Sequence, residues 1–151
     1  MSRAQCIVHR ADSILMVYQL DHWCLPGGAI EPDEMPEDAA LRELDEECGV
    51  AGRILCQTSW YPDTRLSDRC TEGTLTFLVD IGTQEPRLGH DPELPPESQV
   101  IVAVEWLTLA SIPERDRAFL WESGLLGIEP LFSEVVSWGD RLSYPGDDPS
   151  G

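Results

Sequence analysis

Three glutamates in this sequence, Glu43, Glu46 and Glu47, have a spacing that places them on one side of a helix. At roughly 100° per residue, their side chains fall within about 100° of one another. Neighbouring carboxylates repel each other on a helix, and a bound cation removes that repulsion. Oxygen ligands at this density suit Mg²⁺ or Mn²⁺ and not zinc, and Mg²⁺ usually accepts water and substrate phosphates as its remaining ligands. Near a glycine-rich turn, the pattern indicates a divalent-metal site that performs phosphoryl chemistry, and the alternative for three clustered glutamates alone is a solvated acidic helix on an acidic protein.

The residues around these glutamates predict the helix that must carry them. Pro36 suits the first helical position, where its missing N–H costs nothing, and Gly49 can supply a left-handed C-terminal cap. The predicted helix therefore runs from Pro36 to Cys48. Its apolar residues form a separate stripe that would pack on a sheet, at Leu41, Leu44 and Cys48. Met35 falls at the N-cap without a side-chain acceptor, which costs the helix roughly 1 kcal/mol.

Short apolar and β-branched segments before and after this helix predict a sheet. The predicted strands span residues 4–9, 14–19, 53–60, 74–81 and 100–107. The polar residues 10–13 between the first two strands predict a hairpin. Just before the predicted helix, Gly27 and Gly28 follow a proline, which indicates a backbone that turns sharply or approaches another group closely.

Composition limits the class of protein. The chain has 151 residues, which fits one domain, and we assign residues 1–140 to it, with a loose tail at 141–151. Its formal net charge is −18, and all ten basic residues are arginines. Such a surface repels nucleic acids and anionic membranes, so neither is expected as a partner. Five cysteines without paired spacing, and no apolar run of membrane-spanning length, predict a cytoplasmic protein with reduced thiols.

The complete pattern around the glutamates matches a known motif, the Nudix box. Its fixed positions read Gly28, five residues, Glu34, seven residues, Arg42-Glu43-Leu44, one residue, Glu46-Glu47, one residue, Gly49-Val50. The lead-in at residues 23–28 and the later segment 104–107 are also similar to that family. The chain thus resembles the Nudix hydrolases over most of residues 4–125.

The resemblance implies an α/β fold, the Nudix α/β/α sandwich with a mixed β-sheet. It also implies hydrolysis, by a metal-activated water, of the diphosphate linkage of a nucleoside diphosphate joined to another moiety, with Mg²⁺ or Mn²⁺ as cofactor. In the family, the box glutamates bind the metal, and here these are Glu43, Glu46 and Glu47. Glu43 or Glu47 would also deprotonate the water. Arg42 would orient a box glutamate, Glu34 would support the loop–helix junction, and Gly28 would let the backbone approach metal or phosphate. Family members are often homodimers.

Residues outside the box are expected to choose the substrate and to complete the catalytic group. A further carboxylate from the long loop before the last main strand is common in the family, and we favour Glu97 over Glu93. The segment after the box combines aromatic side chains with arginines that could stack a base and hold a phosphate, namely Trp60, Tyr61, Arg65 and Arg69. Candidate substrates are nucleoside triphosphates, ADP-ribose or nucleotide sugars, and dinucleoside polyphosphates.

Two alternative functions remain open at the level of sequence. A non-catalytic Nudix module could sense a nucleotide metabolite, although such modules often have damaged boxes and this box is complete. Prenyl-diphosphate isomerisation on the same fold would need a cysteine and a glutamate facing each other across a pocket, and Cys24 and Cys70 are the cysteines considered for it. Incubation with metal and a panel of nucleotide derivatives separates the three functions.

Overall fold

A computed structural model describes residues 2–62, 73–89, 101–117, 120 and 123–138 of the chain. Within these ranges lie eight strands and two α-helices. The strands are β1 (Arg3–Ile7), β2 (His9–Arg10), β3 (Ser13–Gln19), β4 (His22–Cys24), β5 (Gly27–Ala29), β6 (Arg53–Pro62), β7 (Gly73–Asp80) and β8 (Ile101–Thr108). The helices are α1 (Pro36–Cys48) and α2 (Phe132–Trp138), and short 3₁₀ turns lie at Leu109–Ser111, Glu114–Asp116, Leu125–Gly127 and Glu129–Leu131.

The strands form two sheets. The first has the order β5-β1-β7-β6, in which β1 and β7 are parallel and the other neighbours are antiparallel. The second is antiparallel and is built on β3, which pairs with β2, β4 and β8. The expectation of an α/β fold with a mixed sheet is therefore confirmed.

One predicted strand divides between the two sheets. The sequence favoured a continuous strand over residues 4–9 that forms a hairpin with residues 14–19. In the structure β1 ends at Ile7 and pairs with β5 and β7, and only His9–Arg10 forms the hairpin with β3. Val8 makes the crossing between the sheets, and its carbonyl still accepts a hydrogen bond from the Leu15 amide at 2.8 Å. The apolar pattern could not show this break, because Cys6, Ile7 and Val8 are apolar in an unbroken run up to it.

Helices cover both faces of the sheets. Alternate residues of β3 enter two different cores, with Leu15 and Val17 facing α1 and Ile14 and Met16 facing the C-terminal helices. The bounds predicted for α1 are confirmed at both ends, and Gly49 has the left-handed φ of 68° expected of its cap. In the part of the chain that is described, no helix is long and apolar enough to cross a membrane. This layering buries one side of α1 and turns its acidic side toward the turn at β5.

Candidate functional site

The three glutamates of α1 differ in burial although they share one side of the helix. Glu47 is buried, with 8% of the residue exposed. The side chains of Glu43 and Glu46 are 15% and 29% exposed. Glu47 points toward the Gly27 amide of β5, while Glu46 turns toward solvent and Arg42. Of the three, Glu47 is the glutamate that is classed as buried, and the other two are partly exposed.

Glu47 lies at the edge of β5. The amide nitrogen of Gly27 is 3.4 Å from each of its two carboxylate oxygens. Burial, and after it the nearby charge of Glu43, raise the pKa of Glu47 to about 9, although the Gly27 N–H and the charge of Arg3 act in the opposite direction. Without a cation, this carboxyl group is therefore protonated at neutral pH. A group in this state is typical of a site that gains a positive partner when it functions.

The two glycines before the helix allow the turn to contact the carboxylates. A Cβ added at Gly28 would lie 2.5 Å from Oε1 of Glu43, and one added at Gly27 would lie 2.5 Å from the carbonyl oxygen of Ala4. A side chain at either position would displace a neighbour, since real Cβ atoms do not approach so closely. The paired glycines thus bring the backbone of β5 against the carboxylates of Glu43 and Glu47, where a phosphate or a cation would lie.

Arg42 joins the loop before the helix to the glutamates. Its guanidinium donates to both carboxylate oxygens of Glu34, at 2.8 and 3.0 Å, and to the carbonyl of Ala29 at 3.1 Å. It also contacts Oε1 of Glu43 at 3.0 Å and Oε2 of Glu46 at 3.5 Å. The hydrogen bonds from Arg42 hold the pKa of Glu34 below its usual range. Arg42 is engaged by these acceptors, and its contacts fix the orientation of two of the box glutamates.

The residues fit a divalent cation in part. Among the described residues, no group of three His, Cys, Asp or Glu side chains is already arranged to hold a metal ion. Glu43 and Glu47 nevertheless form a close carboxyl pair, since both the charge and a hydrogen bond of Glu43 raise the pKa of Glu47. Such a pair is what a hard cation stabilises. Glu46 would join it after its side chain rotates away from Arg42.

A positively charged side chain near this pair, that of Arg3, was not predicted from the sequence. Arg3 lies on β1 opposite Ala29 of β5, next to the glycine turn. Its charge lowers the pKa of Glu47 and also that of Cys24, whose pKa burial raises to about 11 overall. Arg3 stands 25 or more positions before the box in the chain, and only the pairing of β1 with β5 brings it close. No local pattern in the sequence signalled it.

The residues predicted for substrate binding are distributed unequally. Trp60 and Tyr61 lie on opposite faces of β6, opposite Leu75 and Thr74 of β7 respectively. Trp60 is 50% exposed. The hydroxyl of Tyr61 lies 3.5 Å from Nε2 of the Gln5 side-chain amide, which donates to it. That amide also donates to Oγ1 of Thr76 at 2.9 Å. The other predicted residues, Arg65, Arg69, Glu93, Glu97 and Cys70, lie outside the described residues.

Known proteins resemble this chain in sequence and in fold. A family model of the NUDIX domain matches residues 2–125. The diphosphoinositol polyphosphate phosphohydrolase 3-alpha of Mus musculus is 43% identical over 58 residues, which cover 34% of this chain and 35% of that protein. The aligned part is thus about a third of the length of such curated relatives.

Solved structures extend the likeness in fold. An ADP-ribose pyrophosphatase of Streptococcus suis has a TM-score of 0.61 at 17% identity and covers 94% of this chain and 95% of its own. An Ap4A hydrolase of C. elegans has a TM-score of 0.56 at 15% identity and covers 91% of this chain and 97% of its own. At these identities the likeness establishes the architecture alone.

Proposed function

The chain belongs to the Nudix family, and we propose that it is a metal-dependent pyrophosphohydrolase of nucleoside diphosphate derivatives. Water would add to one phosphorus of the diphosphate, and the P–O–P bond would break to give two phosphate-containing products and a proton. The activity is proposed from the site of this chain, because the curated relatives share only part of their length with it.

One observation carries the proposal, namely the Glu43–Glu47 pair against the glycine turn. The raised pKa of Glu47, about 9, shows that this arrangement opposes a second negative charge in the absence of a cation. A structural role alone would not require a carboxyl group at this buried position, since burying an ionisable group without a partner costs free energy. We therefore interpret the pair as the binding site of a divalent metal ion, and Mg²⁺ and Mn²⁺ are the cations suited to oxygen ligands.

A cation bound to these carboxylates would lower the pKa of water and offset the charge of the phosphoryl oxygens. The residues of the chain hold and orient the reacting groups. Glu47 contacts the Gly27 amide, Glu43 lies against Gly28, and Arg42 restrains both Glu43 and Glu46. Arg3 approaches from β1 and would attract a phosphate of the substrate.

The charges of the described residues favour a substrate with few phosphates. The chain has a net charge of −18, and Arg42 already has five acceptor oxygens. Among the residues that the structure describes on the face of the first sheet beside Arg3, Gln5, Thr76 and Tyr61 form a group of neutral polar side chains. Neutral donors and acceptors suit a sugar or a nucleoside better than a phosphate-rich group. We therefore favour an ADP-ribose or nucleotide-sugar substrate over a diphosphoinositol polyphosphate, the substrate class in the name of the mouse relative.

The test is a substrate panel with and without metal. Wild-type protein is incubated with ADP-ribose, a UDP-sugar, a nucleoside triphosphate, Ap4A and a diphosphoinositol polyphosphate, in Mg²⁺, in Mn²⁺ and in EDTA, and products are separated by ion-exchange chromatography. We expect metal-dependent cleavage of ADP-ribose or the UDP-sugar into a nucleoside monophosphate and a sugar phosphate. Glu47→Gln should lower this rate by about 10²-fold or more, because a positioned carboxylate is lost.

The outcomes separate the alternatives. Absence of hydrolysis together with tight binding of one nucleotide would indicate a sensor module. Metal-dependent cleavage of the inositol compound alone would overturn the substrate class and leave the reaction intact. Cleavage at the wild-type rate by a folded Glu47→Gln protein would overturn the assignment of the site.

A further inference from the structure

The C-terminal end of α1 is covered by residues 81–89, here called the strap, which run past it after β7. An α-helix leaves its last four carbonyl groups without partners inside the helix. In α1 these belong to residues 45–48. The Gly49 amide donates to the carbonyl of Asp45 at 2.9 Å. The strap supplies two further donors, since the amides of Gly89 and Arg87 donate to the carbonyls of Glu47 and Cys48 at 2.8 and 2.9 Å.

Gly89 makes this approach sterically feasible. A Cβ added at Gly89 would lie 1.9 Å from the carbonyl oxygen of Glu46 and 2.6 Å from the carbonyl carbon of Glu47. Both contacts are with backbone atoms, so no side-chain rotation can relieve them. The strap therefore touches the backbone of Glu47, whose carboxylate lies in the candidate metal site, and of Glu46, whose carboxylate would join it after rotation. Any side chain at position 89 must push the strap and the end of the helix apart.

The strap is itself fixed at its other end. The amide group of Gln84 accepts from the Ala51 amide at 3.0 Å and donates to the Ala51 carbonyl at 2.6 Å. Arg10 pairs with Glu85 at 2.9 Å, donates to the carbonyls of Gly82 and Gln84, and lies over the Trp106 ring at 4.7 Å. These contacts anchor residues 82–85 to the loop after α1 and to the second sheet, so the strap has a defined position from which to hold α1.

We propose that the strap sets the position of the Glu46 and Glu47 backbone, and that Gly89 is a positioning residue for the metal-binding carboxylates. The proposal rests on the metal-dependent function proposed above. A carboxylate reaches a cation only if its Cα is correctly placed, and groups that orient metal ligands affect metal affinity strongly. The strap would thus act on the chemistry through Glu46 and Glu47 and not by touching the substrate.

The test compares Gly89→Ala with Gly127→Ala. Gly127 is exposed, and a Cβ there would meet no atom within 4 Å, so this variant controls for the loss of a glycine. For folded Gly89→Ala we expect Mn²⁺ binding, measured by calorimetry without substrate, to weaken about tenfold. We also expect kcat to fall about tenfold or more at saturating substrate, with KM little changed, because ground-state substrate contacts are kept. Gly127→Ala should match the wild type in all three quantities.

A folded Gly89→Ala protein with wild-type Mn²⁺ affinity and kcat would overturn the proposal and leave the strap a structural element. If that variant does not fold, amide hydrogen exchange of the wild-type protein tests whether the strap is coupled to the metal site. The Gly89 and Arg87 amides should exchange slowly, and more slowly still with saturating Mg²⁺, because a bound cation fixes the helix end. Exchange that is unaffected by Mg²⁺ would contradict the coupling. If the wild-type protein hydrolyses no substrate of the panel, the proposed function is wrong. Metal binding and amide exchange would still test whether the strap positions the carboxylates.

Discussion

The amide nitrogen of Gly27 lies 3.4 Å from both carboxylate oxygens of Glu47, across the gap between β5 and the end of α1. At this length the hydrogen bonds are weak and stabilise the ionised carboxylate only a little. Burial together with Glu43 raises the pKa of Glu47 to about 9. The turn and the helix thus face each other in an arrangement that a positive charge would stabilise.

The stability of the metal-free protein should fall as pH rises from about 5 to 9. The unfolded pKa of Glu47 is 4.5, so within this window the native state binds one more proton than the unfolded chain. The free energy of unfolding should therefore decrease, by at most about 1.4 kcal/mol per pH unit from this group. Denaturant unfolding in EDTA across the range measures the slope.

Glu47→Gln should remove that slope, because an amide does not titrate. At pH 8 the metal-free variant should be more stable than the metal-free wild type. Saturating Mg²⁺ should raise the stability of the wild type at pH 8 and leave the variant nearly unchanged. A slope that is identical in the two proteins would place the titrating group elsewhere.

Gly28→Ala should lower activity with little loss of fold. The added Cβ would lie 2.5 Å from Oε1 of Glu43, so this carboxylate must move away from the turn. A displacement of about 1 Å near the reacting atoms can cost about 10²-fold in rate. Steady-state kinetics over a Mg²⁺ titration should show a lower kcat and a higher Mg²⁺ requirement. Gly127→Ala is again the matched control, and wild-type kinetics in Gly28→Ala would show that Glu43 tolerates the displacement.

Arg3→Gln should raise KM with a smaller effect on kcat. Arg3 lies beside β5, and its charge is felt at Glu47, so it is placed to attract a substrate phosphate. Loss of a charged hydrogen-bonding partner is worth about 1.5–3 kcal/mol, which corresponds to about tenfold or more in KM. Arg53→Gln removes an exposed arginine that pairs with Asp80 at 3.2 Å, and it should leave KM unchanged. Equal changes in the two variants would indicate only an effect of net charge.

Met35→Ser should stabilise the protein without changing its activity. Met35 has the extended backbone of an N-cap, with φ −72° and ψ 144°, and makes no side-chain cap hydrogen bond. A serine hydroxyl there could accept from an amide of the first turn, which is worth about 0.5–2 kcal/mol. Thermal unfolding should show a higher midpoint for Met35→Ser than for Met35→Ala, at equal kcat. A midpoint no higher than that of Met35→Ala would mean that the hydroxyl does not reach the first turn.

Local features were predictable because their causes lie within a few residues. Pro36 and Gly49 mark the ends of α1 through backbone conformation alone, and the structure has the same bounds. The five predicted segments do contain strands, but the short strands β4 and β5 were not predicted. The division at Val8 was not predicted either, because it depends on which sheet offers a partner to each half. The assignment of residues 1–140 to one domain and of 141–151 to a tail stays a prediction.

The sequence by itself determined which side chains lie together at the candidate site, because the spacing of Gly28, Arg42 and the three glutamates decides which of them share a helix face and a turn. Only the tertiary structure decided how these glutamates differ. Burial and proximity raise the pKa of Glu47, Arg42 engages Glu43 and Glu46, and β1 brings Arg3 to the site. The same is true of the strap, where Gly89 meets the backbone of α1 across some 40 positions of sequence. Periodicity reports only the direction of a side chain along its own element, whereas pKa, pairing and close approach depend on neighbours that the chain brings together by folding.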